Sequence, residues 1–447
     1  MVNRHSDSGW LVHIGAGRSS LRTLRHAREH GYRTLAIDVD PNAPGFAEAT
    51  VSIERSREDL DGILDEVRSF ANERALAGCW TTSSASSALA AAAAIREEYD
   101  LPGLRQPALD TLADRSTWKD RLRRNSIETP PSALLSSVDE LGDFLGSHAS
   151  VLVKPESGGR GSLGVARLRR GEAKSRDLYY EAQETSNSEL VLAEAFISGD
   201  EYSIDGVVRD GDFRLLHLGR KFSARNHRGT LPTGYAWGAS RKNVRSDEDP
   251  RWPRSRELAS AVCRALDMND TFVSLDVIDD GDQIHVIDVG CQLDAKVDLG
   301  LEFSGIEVAG LGHAIATGDP LQFSNEPGAL TRGFAIRFFY SDTDGRLQRL
   351  VDPDSPSVES TPDHWHSIAM SPFRYQIEWE KDSNEPIARP RSVADLVVSA
   401  LVEGEDRNCA WMRSNEMDSA DLFSVEELAD PIAKATNEWN PDGPEST

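Results

Sequence analysis

The chain has 447 residues, which is too long for one compact core and predicts two or three domains. Its hydrophobic fraction of 39% and charged fraction of 28% are those of a soluble globular protein. No apolar run approaches the roughly 18 residues of a membrane span. Because 49 basic residues are outnumbered by 74 acidic ones, the formal charge is −25, which argues against general nucleic-acid binding.

Cysteine usage and the N-terminal segment both favour a reducing cytoplasm. The four cysteines (Cys79, Cys263, Cys291 and Cys409) are far apart and form no CxxC pair, so neither a zinc site nor a disulfide framework is expected. The segment MVNRHSDSGW contains no apolar stretch typical of a secretory signal. We therefore expect a cytoplasmic protein that does not contact a membrane.

Strands and helices alternate over about the first 105 residues. The segment WLVHIGAG is an apolar strand that enters a glycine turn, and the helix after it ends near Gly31. RTLAIDVDPNAP predicts a second strand, GCWTTSS a further strand and SSALAAAAAIREEY a helix. The glycine turn suggests a dinucleotide fingerprint, but Ser20 replaces its third glycine, so NAD binding is not expected.

A helix and a glycine-rich loop follow. Residues 107–125 have the pattern of an amphipathic helical segment, which Thr129-Pro130-Pro131 stops. The β-branched run VLVK then ends at Lys154, and four of the seven residues 158–164 are glycine. Such a loop suits a place where backbone N–H groups surround an anion. A Walker A loop would carry its lysine at the end, so this loop is of another kind.

Two hairpins are predicted further along, around Asp210-Gly211 and around Gly281. Asp276 and Asp288 lie in the second hairpin. With an odd number of loop residues, both carboxylates project from one face, diagonally offset, with Cβ atoms roughly 7–8 Å apart. Such a pair can share Mg²⁺. With an even loop they face opposite ways, and the alternative is two solvated aspartates.

Residues 213–245 contain eight basic residues and no acidic one. In an acidic chain this basic block predicts a focused anion site, and the alternative is a surface loop whose side chains pair with acids elsewhere. Tyr235 and Trp237 in the same segment form either a substrate wall or a packed loop. The members of the basic block are Arg214, Arg220, Lys221, Arg225, Arg228, Arg241, Lys242 and Arg245.

The C-terminal part is rich in predicted strands. GFAIRFFY and FRYQIEWE suggest a third, smaller module from about residue 328, and the acidic tail beyond Asp430 is expected to fray. His364-Trp365-His366 could be a metal-binding pair of histidines on a strand. It lacks an obvious third ligand, so we expect surface or packing histidines there.

These segments, in this order, resemble the ATP-grasp superfamily over about residues 10–320. WLVHIGAG…AIDVDPNAPG resembles its N-terminal domain, which is Rossmann-like but does not bind NAD. LADRSTWKDRLRRNSIETPPS is similar to the opening of its central domain, and VLVKPESGGRGSLGV to its phosphate-covering loop. AEAFISGDEYSIDGVV resembles its adenine and ribose strand, and VIDVGCQLDAKVDLGLEFSGIEV its metal-binding strand and following helix. The HRD and DFG motifs of protein kinases are absent from the sequence.

The resemblance implies a fold of the α/β and α+β classes with three domains. A Rossmann-like N-terminal domain would span 1–105. An ATP-grasp domain would span 106–326 and be split into subdomains of about 106–188 and 189–326. A small β-rich C-terminal domain would span 327–447.

The resemblance also assigns roles in ATP binding. Lys154 and Arg115, where the family often has lysine, would approach the phosphates, and the glycine loop would close over them. Glu194 and the backbone after it would read the adenine, while Glu201 would hold the ribose hydroxyls. The residues expected to contact ATP are Arg115, Lys154, Gly159, Gly161, Ser162, Glu194, Ala195, Phe196, Ile197 and Glu201.

The expected metal strand departs from the family pattern. The family usually has Glu-x-Asn-x-Arg where this chain has Asp288, Gly290 and Gln292. Asp276 and Asp288 would hold one Mg²⁺, whereas Gly290 has no side-chain ligand and leaves a second ion open. The substitute metal ligands considered are Asp294, Asp298 and Glu302. The residues expected to act on the reacting groups are Lys221, which would face the γ-phosphate, and Lys296, Arg225 or Arg228, which would replace the guanidinium lost at Gln292.

The implied function is that of an ATP-dependent ligase. It would activate a carboxylate as an acyl phosphate and join it to an amine, with amino acids or peptides among the candidate substrates, and release ADP and phosphate. The expected partners are small-molecule carboxylate and amine substrates, and a homodimer is compatible with the resemblance. The alternatives are a carboxylase-like enzyme that phosphorylates bicarbonate, and a non-catalytic nucleotide-binding protein with a degenerate metal site.

Overall fold

The structure is a computed structural model that describes residues 9–157, 163–171, 175–225, 230–293, 296–323, 326–351, 359–360, 366–370 and 373–426. Among these residues, no helix has both the length and the apolar composition needed to cross a membrane. The predicted residues Gly159, Gly161, Ser162 and Arg228 lie outside the described residues, as do Asp294, His364 and the tail beyond Asp430.

The N-terminal segment forms a four-stranded parallel sheet in the order β3-β2-β1-β4, as the strand–helix alternation predicted. Every residue of β1 is buried, since parallel strands are covered on both faces. Asp38 Oδ2 accepts a hydrogen bond from Ala16 N at 2.6 Å, so this carboxylate braces the glycine turn itself. The elements are β1 (Trp10–Ile14), α1 (Arg18–Glu29), β2 (Arg33–Asp38), β3 (Val51–Glu54), α2 (Leu60–Ala71), β4 (Leu76–Trp80) and α3 (Ser86–Glu98).

The helical segment predicted at 107–125 consists of two helices, α4 (Gln106–Ala113) and α5 (Arg115–Arg124). The break falls at Asp114, whose backbone is extended and whose carboxylate accepts a hydrogen bond from Thr117 N at 2.8 Å. Asp114 is therefore the N-cap of α5, a position that aspartate favours because its oxygen satisfies an otherwise unbonded helical N–H. The cap fixes where the first turn of α5 begins.

A small sheet follows in the order β5-β8-β6-β7. Its pairs are antiparallel, and it is covered by two helices whose apolar residues, among them Leu141 and Tyr179, join its core. Leu152 is opposite Glu194, so Lys154 and Glu194 project from the same face at diagonal positions. The elements are β5 (Ser132–Leu135), α6 (Val138–Ser147), β6 (Ser150–Pro155), β7 (Ala166–Arg169), α7 (Ser175–Thr185) and β8 (Val191–Ala195).

A ten-stranded sheet in the order β13-β12-β9-β10-β11-β14-β20-β18-β17-β16 forms the larger part of the remaining chain. Both predicted hairpins are present, as β9–β10 and as β12–β13. The elements up to residue 317 are β9 (Asp200–Arg209), β10 (Asp212–Arg225), β11 (Thr230–Gly238), α8 (Arg251–Ala265), β12 (Thr271–Asp279), β13 (Ile284–Gly290), α9 (Val297–Phe303) and α10 (Val308–Thr317).

Strands after residue 327 continue this same sheet, because β14 pairs with β11 from Gly234 to Gly238. A three-stranded sheet, β19-β15-β21, packs nearby. The division into three domains stays a prediction, and the sheet itself runs across the expected boundary at 326/327. The elements are β14 (Gly333–Phe339), β15 (Gly345–Arg349), β16 (Glu359–Ser360), β17 (His366–Met370), β18 (Phe373–Trp379), β19 (Pro386–Ile387), β20 (Val398–Gly404), α11 (Arg407–Ser414) and β21 (Phe423–Glu426).

The cap of α5 gives a first testable prediction. Asp114→Ala should lower the free energy of unfolding by about 1 kcal/mol, because the N–H of Thr117 loses its acceptor. Urea unfolding followed by circular dichroism measures the change. Asp59→Ala, which removes the cap of α2, is the matched control and should cost a similar amount. An Asp114→Ala variant that unfolds at the same urea concentration as the unmodified protein would show that this cap does not stabilise α5.

Candidate active site

Asp276 and Asp288 are directly opposite each other on β12 and β13. The hairpin loop, residues 280–283, has an even number of residues, and regular alternation would have placed the two carboxylates on opposite faces. A bulge at Ile287 adds one residue to β13 and restores the shared face. The shared face was predicted, but its cause is the bulge rather than an odd loop, and the pair is directly opposite rather than diagonal.

Basic side chains lie beside both carboxylates. Lys221 Nζ is 2.7 Å from Asp276 Oδ2 and 3.5 Å from Glu201 Oε1, and its side chain is only 9% exposed. Arg115 Nε is 4.0 Å from Asp288 Oδ1, and the same guanidinium donates to the carbonyl oxygen of Pro155 at 3.2 Å. Each of the two carboxylates, which are suited to a metal ion, therefore has next to it a cation that is suited to phosphate.

Glu194 is buried between Lys119 and Lys154, and Lys119 was not among the residues predicted from the sequence. Its carboxylate is 2.8 Å from Lys119 Nζ and 2.7 Å from Lys154 Nζ, and it is 1% exposed. Lys119 also donates to Thr129 Oγ1 at 2.8 Å, and Lys154 Nζ is 3.5 Å from the carbonyl oxygen of Ile287. Lys119 follows Arg115 by four residues, which places both on one face of α5 and was the signal available in the sequence.

The protonation of this buried cluster follows from its contacts. Burial alone would raise the pKa of Glu194, but the ammonium groups of Lys154 and Lys119 outweigh it and hold that pKa at about 2. Burial lowers the pKa of Lys119 to about 8, although Glu194 acts in the opposite direction. Glu194 is thus ionised at neutral pH and its carboxylate is committed to the two lysines.

The backbone predicted to read adenine is partly bonded within the protein. Ala195 N donates to the carbonyl oxygen of Pro131 at 2.8 Å, and Phe196 N donates to that of Ser150 at 3.0 Å. Ala195 and Phe196 also line a cavity of about 620 Å³. The role of Ile197, the residue that follows, stays a prediction.

A larger cavity of about 910 Å³ brings together five of the predicted site residues, namely Arg115, Lys221, Asp276, Asp288 and Lys296. Lys154, Glu194 and Glu201 are not part of its lining and lie beside it. The cavity is bounded by α1 from the N-terminal sheet, by the hairpin β12–β13, and by residues at the end of β18. Tyr235 belongs to its wall, and Lys221 Nζ lies 5.5 Å from the centre of its ring, whereas Trp237 is packed in the core.

Acidic residues hold the cations at the far end of this cavity. Lys296 Nζ is 3.2 Å from Glu378 Oε2 and also contacts Glu380. Arg22 of α1 is 2.8 Å from Glu302 and 3.3 Å from Asp298. Lys296 is therefore in the cavity as predicted, but two carboxylates hold it, and neither carboxylate was predicted. Asp298 and Glu302, considered as metal ligands, are bound to Arg22.

The basic block does not form one anion site among the described residues. Arg220 is 2.6 Å from Asp200, Lys242 is 3.0 Å from Glu405, and Arg245 is 2.7 Å from Asp247. Arg214 lies over the ring of Phe323. For these four residues the alternative holds, because strand alternation and the loop geometry send three of them to different acids and Arg214 to an aromatic ring. Lys221 alone of these described side chains lines the large cavity, and the side chain of Arg225 is outside the described part.

Gly290 and Gln292 line the cavity where the family usually has asparagine and arginine. Gln292 Nε2 donates to the carbonyl oxygen of Thr81 at 3.1 Å, so this side chain joins β13 to the N-terminal segment. A Cβ atom on Gly290 would meet its nearest neighbour, the carbonyl oxygen of Gln292, at 3.7 Å, which is an ordinary contact. The site thus has room for a side chain at position 290.

Comparison with known proteins agrees with this geometry. Residues 112–295 match the family model described as an ATP-grasp domain. No curated protein sequence matches the chain significantly. An L-amino acid ligase from Bacillus licheniformis has a similar structure, with a TM-score of 0.73 at 17% identity over 94% of this chain and 99% of that one.

Two further solved structures are similar over comparable lengths. Phosphoribosylglycinamide synthetase from Anaerococcus prevotii has a TM-score of 0.66 at 18% identity, over 94% of this chain and 100% of that one. The biotin carboxylase domain of 2-oxoglutarate carboxylase from Hydrogenobacter thermophilus, solved with MgADP and bicarbonate, has a TM-score of 0.67 at 15% identity, over 94% of this chain and 91% of that one. The chain thus has the fold of these solved structures, and its residues 112–295 match an ATP-grasp domain, as the ordered motifs indicated.

The buried cluster around Glu194 predicts a dependence of stability on pH. Because the folded state depresses the pKa of Glu194 from 4.5 to about 2, its contribution is complete above about pH 4.5 and is lost as pH falls from there towards 2. Glu194→Gln should lower the free energy of unfolding at pH 7 by roughly 3 kcal/mol and flatten this part of the pH profile.

Urea unfolding at several values between pH 7 and pH 3 measures both effects. The control is Glu73→Gln, which changes an exposed glutamate before β4 and should leave the profile as in the unmodified protein. A Glu194→Gln variant that keeps the full acid sensitivity would contradict the assigned charge of this cluster.

Gly290 gives a prediction about metal affinity. Since a Cβ atom fits there, Gly290→Asn should keep the unfolding temperature within about 2 °C, and if Asp288 binds Mg²⁺ as the sequence predicts, it should add a further oxygen ligand beside that carboxylate. The Mg²⁺ concentration for half-maximal ATP binding should fall by roughly threefold to tenfold, as measured by calorimetry. Gly290→Ala, which adds bulk but no ligand, is the control. Equal Mg²⁺ dependence in the two variants would count against a metal beside Asp288.

Proposed function

We propose that this protein is an ATP-dependent ligase that converts a carboxylate into an acyl phosphate and joins it to an amine. The observation that carries the proposal is the bulged pair of Asp276 and Asp288, with Lys221 and Arg115 beside it, at the wall of one large cavity. Phosphoryl transfer requires reactants to be positioned and their charge neutralised, more than it requires covalent chemistry from the protein.

The nucleotide would lie between the small sheet and the hairpin β12–β13. Two contacts support this location: Glu194 fixes the ammonium of Lys154 at the end of β6, and Arg115 reaches the same region from α5. Adenine contacts would fall to the backbone at Ile197, since the N–H groups of Ala195 and Phe196 are already used. Glu201, at 3.5 Å from Lys221, would accept the ribose hydroxyls in this arrangement.

Asp276 and Asp288 would hold Mg²⁺. Two carboxylates on one face of a hairpin are the oxygen donors that this ion prefers, and Gly290 adds no side-chain donor for a second ion. When bound, the ion neutralises phosphate charge and orients the transferred group. Lys221 touches the Asp276 carboxylate and would neutralise the γ-phosphate oxygens as the phosphoryl group moves.

The proposed reaction has two steps. A substrate carboxylate oxygen forms a bond to the γ-phosphorus while the bond to the β–γ bridging oxygen breaks, and ADP leaves. The amine nitrogen then bonds to the acyl carbon, the carbon–oxygen bond to phosphate breaks, and phosphate leaves. Arg115 and Lys221 would hold the phosphate oxygens, and the walls of the cavity would limit access of water that could hydrolyse the acyl phosphate.

Charge at the far end of the cavity supports amines over phosphorylated substrates. The names of the similar proteins include a phosphoribosyl product, an amino acid and biotin, so the fold alone does not choose among them. In this chain the cations Arg22 and Lys296 are each held by two carboxylates. Because this wall already has more carboxylates than cations, a substrate phosphate would add to its negative charge, whereas an amine in its ammonium form would reduce it.

The two aspartates provide the test. The unmodified protein with ATP, Mg²⁺, hydroxylamine and a panel of amino acids and small acids should release ADP and form a hydroxamate. Asp276→Asn and Asp288→Asn should each reduce this rate by roughly 100-fold or more, because each removes one metal ligand. Both variants should change the free energy of unfolding little.

Asp282→Asn, on the exposed tip of the same hairpin, is the control and should keep the rate. If no acid elicits ADP release or a hydroxamate, the ligase proposal fails. ATP binding without turnover, unaffected by either aspartate change, would instead indicate a non-catalytic nucleotide-binding protein.

A further inference from the structure

The end of β18 adds two carboxylates to the cavity. Glu378 and Glu380 are two residues apart, and both contact Lys296, the residue that precedes α9. Both also line the cavity that contains Asp276 and Asp288. The side chains are 20% and 26% exposed, so they are largely withdrawn from solvent yet reachable from the cavity.

Carboxylates outnumber cations in this wall. One ammonium, that of Lys296, lies between two carboxylates, which leaves one formal negative charge among these three side chains. Arg22 likewise lies between two carboxylates, those of Asp298 and Glu302, so this group of three side chains also has one formal negative charge. The other arginine of α1 that lines the cavity, Arg18, pairs with Asp382 at 2.9 Å.

The protonation behaviour of Glu380 agrees with this count. Its pKa is raised, first by burial and then by the neighbouring Glu378, although Lys296 acts to lower it. A carboxylate beside an ammonium ordinarily has a lowered pKa. The raised pKa of Glu380 therefore comes first from burial, and the second carboxylate adds to it; a further cation in the cavity would act against both.

We propose that Glu378 and Glu380 bind the amine substrate as its ammonium ion and that Glu380 takes the proton which the nitrogen must lose before it attacks. The substrate class is a primary amine that is positively charged at neutral pH, such as the α-amino group of an amino acid. This inference rests on the proposed ligase function. It assigns to the C-terminal strands a part in binding the second substrate.

The amine nitrogen must lose two protons between its ammonium form and the amide product. The ammonium nitrogen passes one proton to the Glu380 carboxylate and becomes a neutral amine with a lone pair. That pair forms the bond to the acyl carbon, and the electrons of the carbon–oxygen bond leave with phosphate. The nitrogen then loses a second proton to the departing phosphate, which yields the neutral amide. A carboxylate whose pKa lies above its usual range is the better acceptor for the first of these protons.

The test compares a charged amine with a neutral one. Hydroxylamine is uncharged at pH 7.5 and needs no cation site, so hydroxamate formation reports activation of the carboxylate. Coupling to amino acids, measured by mass spectrometry of the product, reports use of an ammonium substrate. The ratio of coupling to hydroxamate formation should fall at least tenfold in Glu378→Gln, chiefly through a raised KM for the amine, and in Glu380→Gln, chiefly through a lowered kcat.

Control variants separate this effect from damage to the fold. Glu385→Gln changes a nearby glutamate that pairs with Lys381 and does not line the large cavity, and it should keep the ratio. Glu380→Asp preserves the charge and should recover part of the coupling even if Glu380→Gln folds poorly, which thermal unfolding will show.

Failure of the inference and failure of the ligase proposal are distinguishable. If the unmodified protein forms no hydroxamate with any acid, the ligase proposal itself fails and the inference fails with it. If hydroxamate forms but no amino acid couples, or if both glutamine variants keep the ratio, the inference alone is overturned.

Discussion

The site depends on one buried arrangement of charges, the Glu194 carboxylate between the ammonium groups of Lys119 and Lys154. Removing a charge from water is costly unless a partner compensates it, so these three side chains stabilise one another only in this geometry. Lys119 belongs to α5, Lys154 to β6 and Glu194 to β8. The cluster therefore fixes a helix against a sheet, and it also fixes the lysine that we propose for phosphate binding.

The cluster contacts the hairpin β12–β13 at its bulge. Lys154 Nζ is 3.5 Å from the carbonyl oxygen of Ile287, the extra residue of β13. The same extra residue sets Asp288 on the face of Asp276. One irregularity in a strand thus serves two purposes: it aligns the two carboxylates and it offers an acceptor to the lysine of the opposing sheet. Bulges are common where a strand must redirect a side chain near an active site.

Much of the arrangement could be predicted from the sequence, because the features concerned are local. The order of motifs, the two hairpins and the end of β6 at the glycine loop follow from periodicity, glycine and turn residues within short segments. The bulge could not be predicted. The alternation of apolar and polar residues indicates a strand, but it does not show which residue of that strand lacks a partner on the neighbouring strand. The dispersal of the basic block could not be predicted either: Arg245 pairs with Asp247 nearby, but Lys242 pairs with Glu405, and the sequence does not show which acid each side chain meets.

The carboxylates at the far wall of the cavity could not be predicted, because they reach it through contacts between strands that are distant in sequence. Glu378 reaches Lys296 only because β14 pairs with β11 and the C-terminal strands extend the main sheet. Pairing between strands so distant in sequence is set by tertiary packing, and a single sequence offers no local signal for it. Lys119 differs, because its spacing from Arg115 did contain a signal.

The central claim is that ATP binds between the small sheet and the bulged hairpin, with its phosphates held by Lys154 and Lys221. A crystal structure with a non-hydrolysable ATP analogue and Mn²⁺, located by its anomalous signal, tests this most directly. We predict a metal ion bound by both Asp276 and Asp288, with the triphosphate against the two lysines. A nucleotide bound elsewhere, or a metal that contacts neither aspartate, would contradict it.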